Sequence, residues 1–409
     1  MRACIYRGAK QIGGSCVELE AGGQHLLLDL GLPLEGDPSD KSLVPAICLN
    51  NLCGTVISHP HIDHYGLLHH LPVEKPVLIG AAAKRIIQAA TPFTSQALPA
   101  LEGPSLMDRQ PIDIGPFRIT PYLVDHSAYD AYALLIEAEG KRLFYSGDFR
   151  AHGRKGHLHS RMLSDPPKDI DALLLEGSSL SRLNANACFP SESDLEEELT
   201  AQLRETTGIT LFHTSAQNID RLVTVYRACR RTGRPMVIDL YTAAILAATK
   251  NPHIPQSHWP GVLLYLPRRQ AIQVKRNGWF DLLKRHSNHQ IYNEDLRIKA
   301  ANSVFIFRPI LMSDLDEADC LKGARFIYSQ WAGYLAKGSY SAMELWLEKH
   351  GLGINHLHTS GHANACDLQA LAEALRPQAL VPIHSFSAER YPMLFNNVVS
   401  HEDGEWWEV

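Results

Sequence analysis

Short apolar runs closed by Gly, Pro, Asp or His recur along the chain: "HLLLDLG", "GTVISH", "PVLIG", "FRITPYLV", "YALLIEAEGKRLFYSGD" and "DALLLEGS". Their length and their β-branched and leucine content predict strands that feed into loops. Helical stretches such as "AAAKRIIQAA" lie between some of them, so sheets covered by helices are expected. "YALLIEA" and "KRLFYSGD", joined by Glu139-Gly140, read as a hairpin, which makes the sheet mixed rather than purely parallel. From about residue 180 the pattern changes. An acidic amphipathic segment "SESDLEEELTAQLRE" precedes "GITLFHTSAQNIDRLVTVYRACRRTGRPMVIDL", a strand-loop-helix-strand unit. A separate α/β unit is expected there, extended by "SVFIFRP" and "ARFIYS". "HLHTSGHANACDLQALAEALRPQALVPIHS" supplies a last strand-loop-helix-strand.

The length of 409 residues exceeds what one core usually fills, so two or three units are expected. Hydrophobic content of 45% with 20% charged residues excludes a disordered chain. The start "MRACIYRGAK" lacks a signal-peptide core and no apolar run reaches the ~18 residues of a membrane span, so a cytoplasmic protein is expected. Eight cysteines, among them Cys4, Cys16, Cys53 and Cys366, form no C-x-x-C pair. They read as reduced, small buried side chains and argue against a zinc ribbon. A net charge of −5 gives no whole-molecule basic field for nonspecific nucleic-acid binding. The basic runs "RAHGRKGHLHSR" (150 to 161) and "LPRRQAIQVKR" (266 to 276) read as solvated faces able to touch phosphate.

The chemistry concentrates after "GTVIS", where "HPHIDHYG" places His59, His61, Asp63 and His64 within six positions. Alternate residues of an extended segment point the same way, so His59 and His61 can share one ion. Asp63 and His64, beyond the bend, can face a second. Burying these groups without metal would cost their hydration. His126, Asp148 and His384 each follow a strand-like run and are further candidates. Seven N/O ligands without cysteine suit two borderline divalent ions, zinc foremost, with manganese also compatible.

These residues resemble the metallo-β-lactamase signature H-x-H-x-D-H followed by His, Asp and His: "SHPHIDHYG", "VDHS", "SGDF" and "VPIHS". "LLLEGSS" with Glu176, "TSGHA" with His362 and "PIHS" with His384 resemble motifs A, B and C of the β-CASP nucleases, which include RNase J and the mRNA 3′-end processing endonucleases. "LLLDLGLP", "SAQNIDRL", "FRPILMSDL" and "IYSQWAGYL" extend the resemblance over nearly the whole chain. It implies an αββα sandwich in two segments, 1–179 and 358–409, split by an inserted β-CASP unit at 180–357 that would cover the site as a lid. His59, His61 and His126 would hold one zinc, Asp63, His64 and His384 the other, and Asp148 would bridge them. The implied activity is hydrolysis of single-stranded RNA by a metal-bound hydroxide, leaving 5′-phosphate and 3′-hydroxyl ends. His362 would protonate the leaving oxygen, with Glu176 orienting its ring, so Asp63, His362 and Glu176 are the candidate catalytic residues. Ser215, Gln217, Ser360 and His362 resemble places where RNase J-like enzymes grip a phosphate, and Asp29 takes a supporting role behind the ligands.

Motif-C histidine in the family goes with RNA rather than DNA. The alternatives are a DNA-directed β-CASP nuclease, a thioester or lactone hydrolase, and a nonhydrolytic RNA-binding subunit. Phe149, Phe189, Trp331, Tyr334 and Phe386 are candidates for stacking on bases, and His69, His70, His152, His157 and His159 read as surface residues. The sequence runs to Val409 soon after motif C, whereas RNase J carries a further domain, so the shorter prokaryotic β-CASP proteins are the nearer expectation.

Overall fold

The computed structural model describes every residue except Ser95, 182–187, Lys337 and Ser339. The chain forms two compact units, Met1–Phe189 with Gly361–Val409, and Pro190–Ser360. The second is therefore an insertion in the sequence of the first. The crossings fall at 189/190 and 360/361, against 179/180 and 357/358 in the sequence pattern.

Two sheets build the first unit. One has seven strands in the order Trp406–Glu408, Arg2–Arg7, Cys16–Ala21, Gln24–Leu28, Leu52–Val56, Val77–Gly80 and Ser105–Leu106. The other has six, in the order Ala379–Ile383, Ala172–Glu176, Lys141–Tyr145, Ala131–Ala138, Phe117–Val124 and Ile112–Ile114. Alternation along the strands sends Val17, Leu19, Leu26 and Leu28 of one sheet and Ile119, Leu134, Ile136 and Leu174 of the other into a single buried cluster. On its opposite face the first sheet packs Leu27 and Ile79 with Ala83 and Ile87 of the helix Ala81–Ala90. The second packs Leu135, Phe144 and Leu173 with Met162, Leu368 and Leu371 of the helices His157–Ser164 and Ala365–Leu375. This is the expected four-layer αββα sandwich. The expected hairpin is present as well: Ala131–Ala138 and Lys141–Tyr145 pair antiparallel, and Glu139 at φ 52° with Gly140 at φ 72° supplies the left-handed turn.

The inserted unit is built on a seven-stranded sheet in the order Gln290–Ile291, Val262–Tyr265, Met236–Ile238, Val304–Phe307, Thr210–His213, Arg325–Tyr328 and Ile354–His356, with every pair parallel. The acidic segment becomes the helix Glu192–Glu205, started by a capping box between Ser191 and Asp194. No helix among the described residues is long and apolar enough to cross a membrane.

The basic run from 150 to 161 forms a solvated face only in part: His157, Ser160 and Arg161 are exposed, but other members turn inward. Arg150 is fully buried, 3.6 Å from Asp125. The helix His157–Ser164 turns Leu158, His159 and Met162 inward. His159 is thus buried rather than on the surface, stacked on Phe149 at 5.7 Å, and Phe149 is a core residue instead of a base platform. The cysteines also divide: Cys4, Cys16 and Cys229 are buried, Cys48, Cys53 and Cys320 are half-buried, and Cys188 and Cys366 are exposed.

Leu134 is fully enclosed between the sheets. Leu134→Ala should cost about 2–5 kcal/mol of stability, read as an earlier urea transition of the first unit by near-ultraviolet circular dichroism. An unchanged transition would contradict this packing.

Candidate metal centre

The strands deliver the ligand-type residues at their ends. Leu52–Val56 runs into His59, and His61 precedes the short helix Ile62–Tyr65 that carries Asp63 and His64. His126 follows Phe117–Val124, Asp148 follows Lys141–Tyr145, and His384 follows Ala379–Ile383. Two of these turns demand a left-handed backbone: Gly147 at φ 51°, where a Cβ would lie 2.9 Å from the Tyr132 carbonyl oxygen, and His384 itself at φ 51°.

All seven converge within the first unit. His59, His61 and His126 form one group with ligand atoms within 4.8 Å of one another, and Asp63, His64 and His384 form a second. Asp148 also groups with His59 and His64, and with His362 and His384. His61 Nδ1 lies 3.2 Å from His126 Nε2. Asp148 Oδ2 lies 3.2 Å from His64 Nε2, 3.5 Å from His384 Nε2 and 3.8 Å from His59 Nε2. Ligands around a tetrahedral ion with bonds near 2.0–2.1 Å stand about 3.3 Å apart, so these separations suit shared cations.

Burial drives the electrostatics. It pushes His59 and His126 well below the ordinary imidazole range, His61 down to about 4, and His384 down as well. Burial acts the same way on His64, but Asp148, Asp29 and Asp63 outweigh it and hold that imidazole well above its usual value. Burial would raise Asp148, yet His384, His64 and His362 hold it well below the carboxylate range.

A second layer fixes the rings. His64 Nδ1 donates to Asp29 Oδ2 at 2.7 Å, and the same carboxylate accepts from Ser58 N at 2.7 Å, Ser58 Oγ at 2.8 Å and Tyr145 Oη at 2.7 Å. His384 Nδ1 meets Ser15 Oγ at 2.8 Å, His59 Nδ1 meets Ser58 Oγ at 3.0 Å, and His126 Nδ1 donates to the Gly361 carbonyl at 2.5 Å. Each contact engages Nδ1 and turns Nε2 inward. Asp29 therefore stands behind His64, on the side of the ring away from the cluster. Ser15, Ser58 and Tyr145 escaped the sequence reading, because a serine after a glycine pair or a tyrosine at a strand end carries no local mark of metal chemistry.

Glu176, the last residue of Ala172–Glu176, accepts from Phe149 N at 3.0 Å and meets His362 Nδ1 at 3.0 Å. Asn364, not His362, caps the helix Ala365–Leu375. Ser215, Gln217 and Ser360 belong to the inserted unit. Ser215 is exposed and accepts from Gln217 N at 3.2 Å, Gln217 Nε2 donates to Tyr241 Oη at 3.0 Å, and Ser360 is buried.

A beta-lactamase superfamily domain matches residues 40–212. Ribonuclease J of Sinorhizobium meliloti is 22% identical over 89% of this chain and 64% of its own length. Ribonuclease J of Corynebacterium glutamicum is 22% identical over 94% of this chain and 53% of its own. The superfamily match thus covers part of the chain, and similarity to RNase J proteins extends along most of its length. The chain spans little more than half to two thirds of these relatives. A crystal structure of a protein of unknown function from Enterococcus faecalis V583 shares the fold, with a TM-score of 0.78 at 21% identity over 99% of both chains.

The metallo-β-lactamase fold implies divalent-metal binding, and the residues fit it. Buried His59 Nε2, His64 Nε2, His384 Nε2 and Asp148 Oδ1 make no hydrogen bond, a costly arrangement that cations between them would relieve. Asp29→Asn tests the supporting layer. Asn tolerates the left-handed backbone at φ 59° but removes the charge facing His64. Metal affinity should fall about 10–100-fold in competition with a chromophoric chelator, and unchanged affinity would contradict the assignment.

Proposed function

We propose that the chain is a metal-dependent ribonuclease that hydrolyses phosphodiester bonds of single-stranded RNA, with two zinc ions in the seven-residue cluster. The observation that carries this reading is the Glu176–His362 pair beside that cluster: His362 Nδ1 is 3.0 Å from Glu176 Oε2 and 3.7 Å from Asp148 Oδ2. The RNase J relatives supply the substrate class.

In this reading His59, His61 and His126 would hold one ion and Asp63, His64 and His384 the other, with Asp148 as a further ligand. The ions would lower the pKa of water and neutralise charge on the phosphodiester. The protein's own task is then proton delivery and orientation. Glu176, anchored by the Phe149 amide, accepts the Nδ1 proton of His362. That contact fixes the tautomer and the ring plane, so Nε2 is the atom that protonates the departing 3′ oxygen. Cleavage on that side leaves a 5′-phosphate on the downstream product. Against burial, the imidazoles of His384, His64 and His362 hold Asp148 in its charged form, which places a negative group at the cluster before substrate arrives.

The test compares wild type and His362→Ala, with metal content verified, on single-stranded RNA bearing a 5′-monophosphate or a 5′-triphosphate and on matched DNA. Wild type should cleave RNA, and the variant should lose about 10²–10⁴-fold in the single-turnover rate at unchanged metal content. A variant as fast as wild type would remove His362 from the mechanism. A metal-loaded wild type that cleaves a thioester or lactone but no nucleic acid would overturn the ribonuclease reading.

A removal experiment addresses the cluster itself. Protein stripped by a chelator should lose cleavage and unfold at lower temperature, since ligands that bind only the native state stabilise it by mass action. Readdition of zinc should restore both, and full activity in stripped protein would contradict metal dependence.

A further inference from the structure

A second group of ligand-type side chains lies on the outer face of the first sheet, away from the strand ends that build the centre above. Along Cys16–Ala21, Val17 and Leu19 face the core between the sheets, so Glu18 faces the other way. Residues Glu20 and His25 are partners in the pairing with Gln24–Leu28, which makes Glu18 and His25 diagonal neighbours on one face. The chain after Leu43 returns over this face and brings Cys48 alongside, its amide donating to Glu18 Oε1 at 3.1 Å. One ligand atom each from Glu18, His25 and Cys48 lies within 4.8 Å of the other two.

Three observations make this more than a chance grouping. Glu18 is fully buried, and its Oε2 has no hydrogen-bond partner. His25 Nδ1 approaches Glu18 Oε1 to 2.7 Å, but the approach is misdirected for a hydrogen bond and Nδ1 is also without one. The phenol of Tyr6 donates to the Ala46 carbonyl at 3.1 Å and lies close enough to Glu18 for that carboxylate, after burial, to push the phenol up. A buried carboxylate with one idle oxygen, beside an imidazole whose Nδ1 is also idle, is costly, and a cation bound by both side chains would satisfy them. Trp406 packs edge-on to His25 with ring centroids 6.1 Å apart, which holds the imidazole in place. His25 and Cys48 line a surface cavity of about 400 Å³ with Tyr6 and Trp406, giving an ion a way in.

We propose that Glu18, His25 and Cys48 form an additional binding site for a zinc-class divalent cation, separate from the seven-residue centre. One thiolate and one carboxylate balance the charge of a dication, and a sulfur, nitrogen and oxygen donor set selects a borderline metal over magnesium or calcium. Three protein ligands leave one position for water or a small anion. Ion binding here would tie the segment carrying Cys48 to the strands carrying Glu18 and His25.

Sulfur separates the two sites experimentally, because none of the seven residues of the other centre is a cysteine. Chelator-stripped protein is reloaded with Co²⁺ and its near-ultraviolet spectrum recorded for wild type, Cys48→Ser, His25→Gln and, as a control for exposed thiols, Cys366→Ser. Zinc per chain is measured in parallel by elemental analysis, with circular dichroism to verify folding. The proposal expects a thiolate-to-cobalt charge-transfer band in wild type and Cys366→Ser, its loss in Cys48→Ser and His25→Gln, and one fewer zinc per chain in those two variants. A wild type without the band, a band that survives Cys48→Ser, or equal zinc in all four proteins would overturn it. Neither readout depends on nuclease activity, so failure here is distinguishable from failure of the ribonuclease reading.

Discussion

Asp148 stands buried among the imidazoles of His59, His64, His362 and His384, with its carboxylate 3.2 Å from the nearest nitrogen. Charged and polar groups so close together are stable only if each finds a counter-charge or a ligand, because burial withdraws the hydration that would otherwise support them. The rest of the first unit serves this constraint. Two sheets, each closed by its own layer of helices, aim their strand ends at one point. Asp29, with four hydrogen bonds, anchors the loop after Leu52–Val56 to the strand Lys141–Tyr145 through Ser58 and Tyr145.

Rigid placement explains why the polar groups sit just beyond strands rather than within them. A residue one to three positions past a ladder inherits its direction from the sheet, yet its side chain is free of the alternation that would bury it between layers. His384 shows the cost: its left-handed backbone at φ 51° is unusual for a non-glycine residue. Ser15 Oγ on His384 Nδ1 and the hydrogen bond from its amide to the Gly8 carbonyl, at 2.8 Å, hold it there.

Much of this was legible in the sequence. The apolar runs found the strands because burial on both faces leaves little choice of residue, and the hairpin turn at Glu139-Gly140 announced itself through a glycine that must be left-handed. The convergence of candidate ligands was legible because His59, His61, Asp63 and His64 are adjacent and mark chemistry without any tertiary knowledge. The supporting layer was not: Ser15, Tyr145 and the Gly361 carbonyl reach the ligands from distant positions, and only the folded sheets bring them there. His159 and Phe149 were misread for a related reason. A run dense in Arg, Lys and His looks solvated, but the helix His157–Ser164 rotates one of its histidines onto a core aromatic ring. Glu18, His25 and Cys48 were invisible as a group because strand pairing and a returning loop, rather than spacing along the chain, make them neighbours.

The central claim is that the seven converging side chains are a preformed two-cation site. Anomalous diffraction from crystals of the metal-loaded protein, measured on both sides of the zinc absorption edge, tests it most directly. The account predicts two peaks about 3.5–4 Å apart, one enclosed by His59, His61 and His126, the other by Asp63, His64 and His384, with the Asp148 carboxylate reaching both. A cluster without zinc peaks in zinc-saturated crystals, its inward nitrogens hydrogen-bonded to water instead, would contradict it.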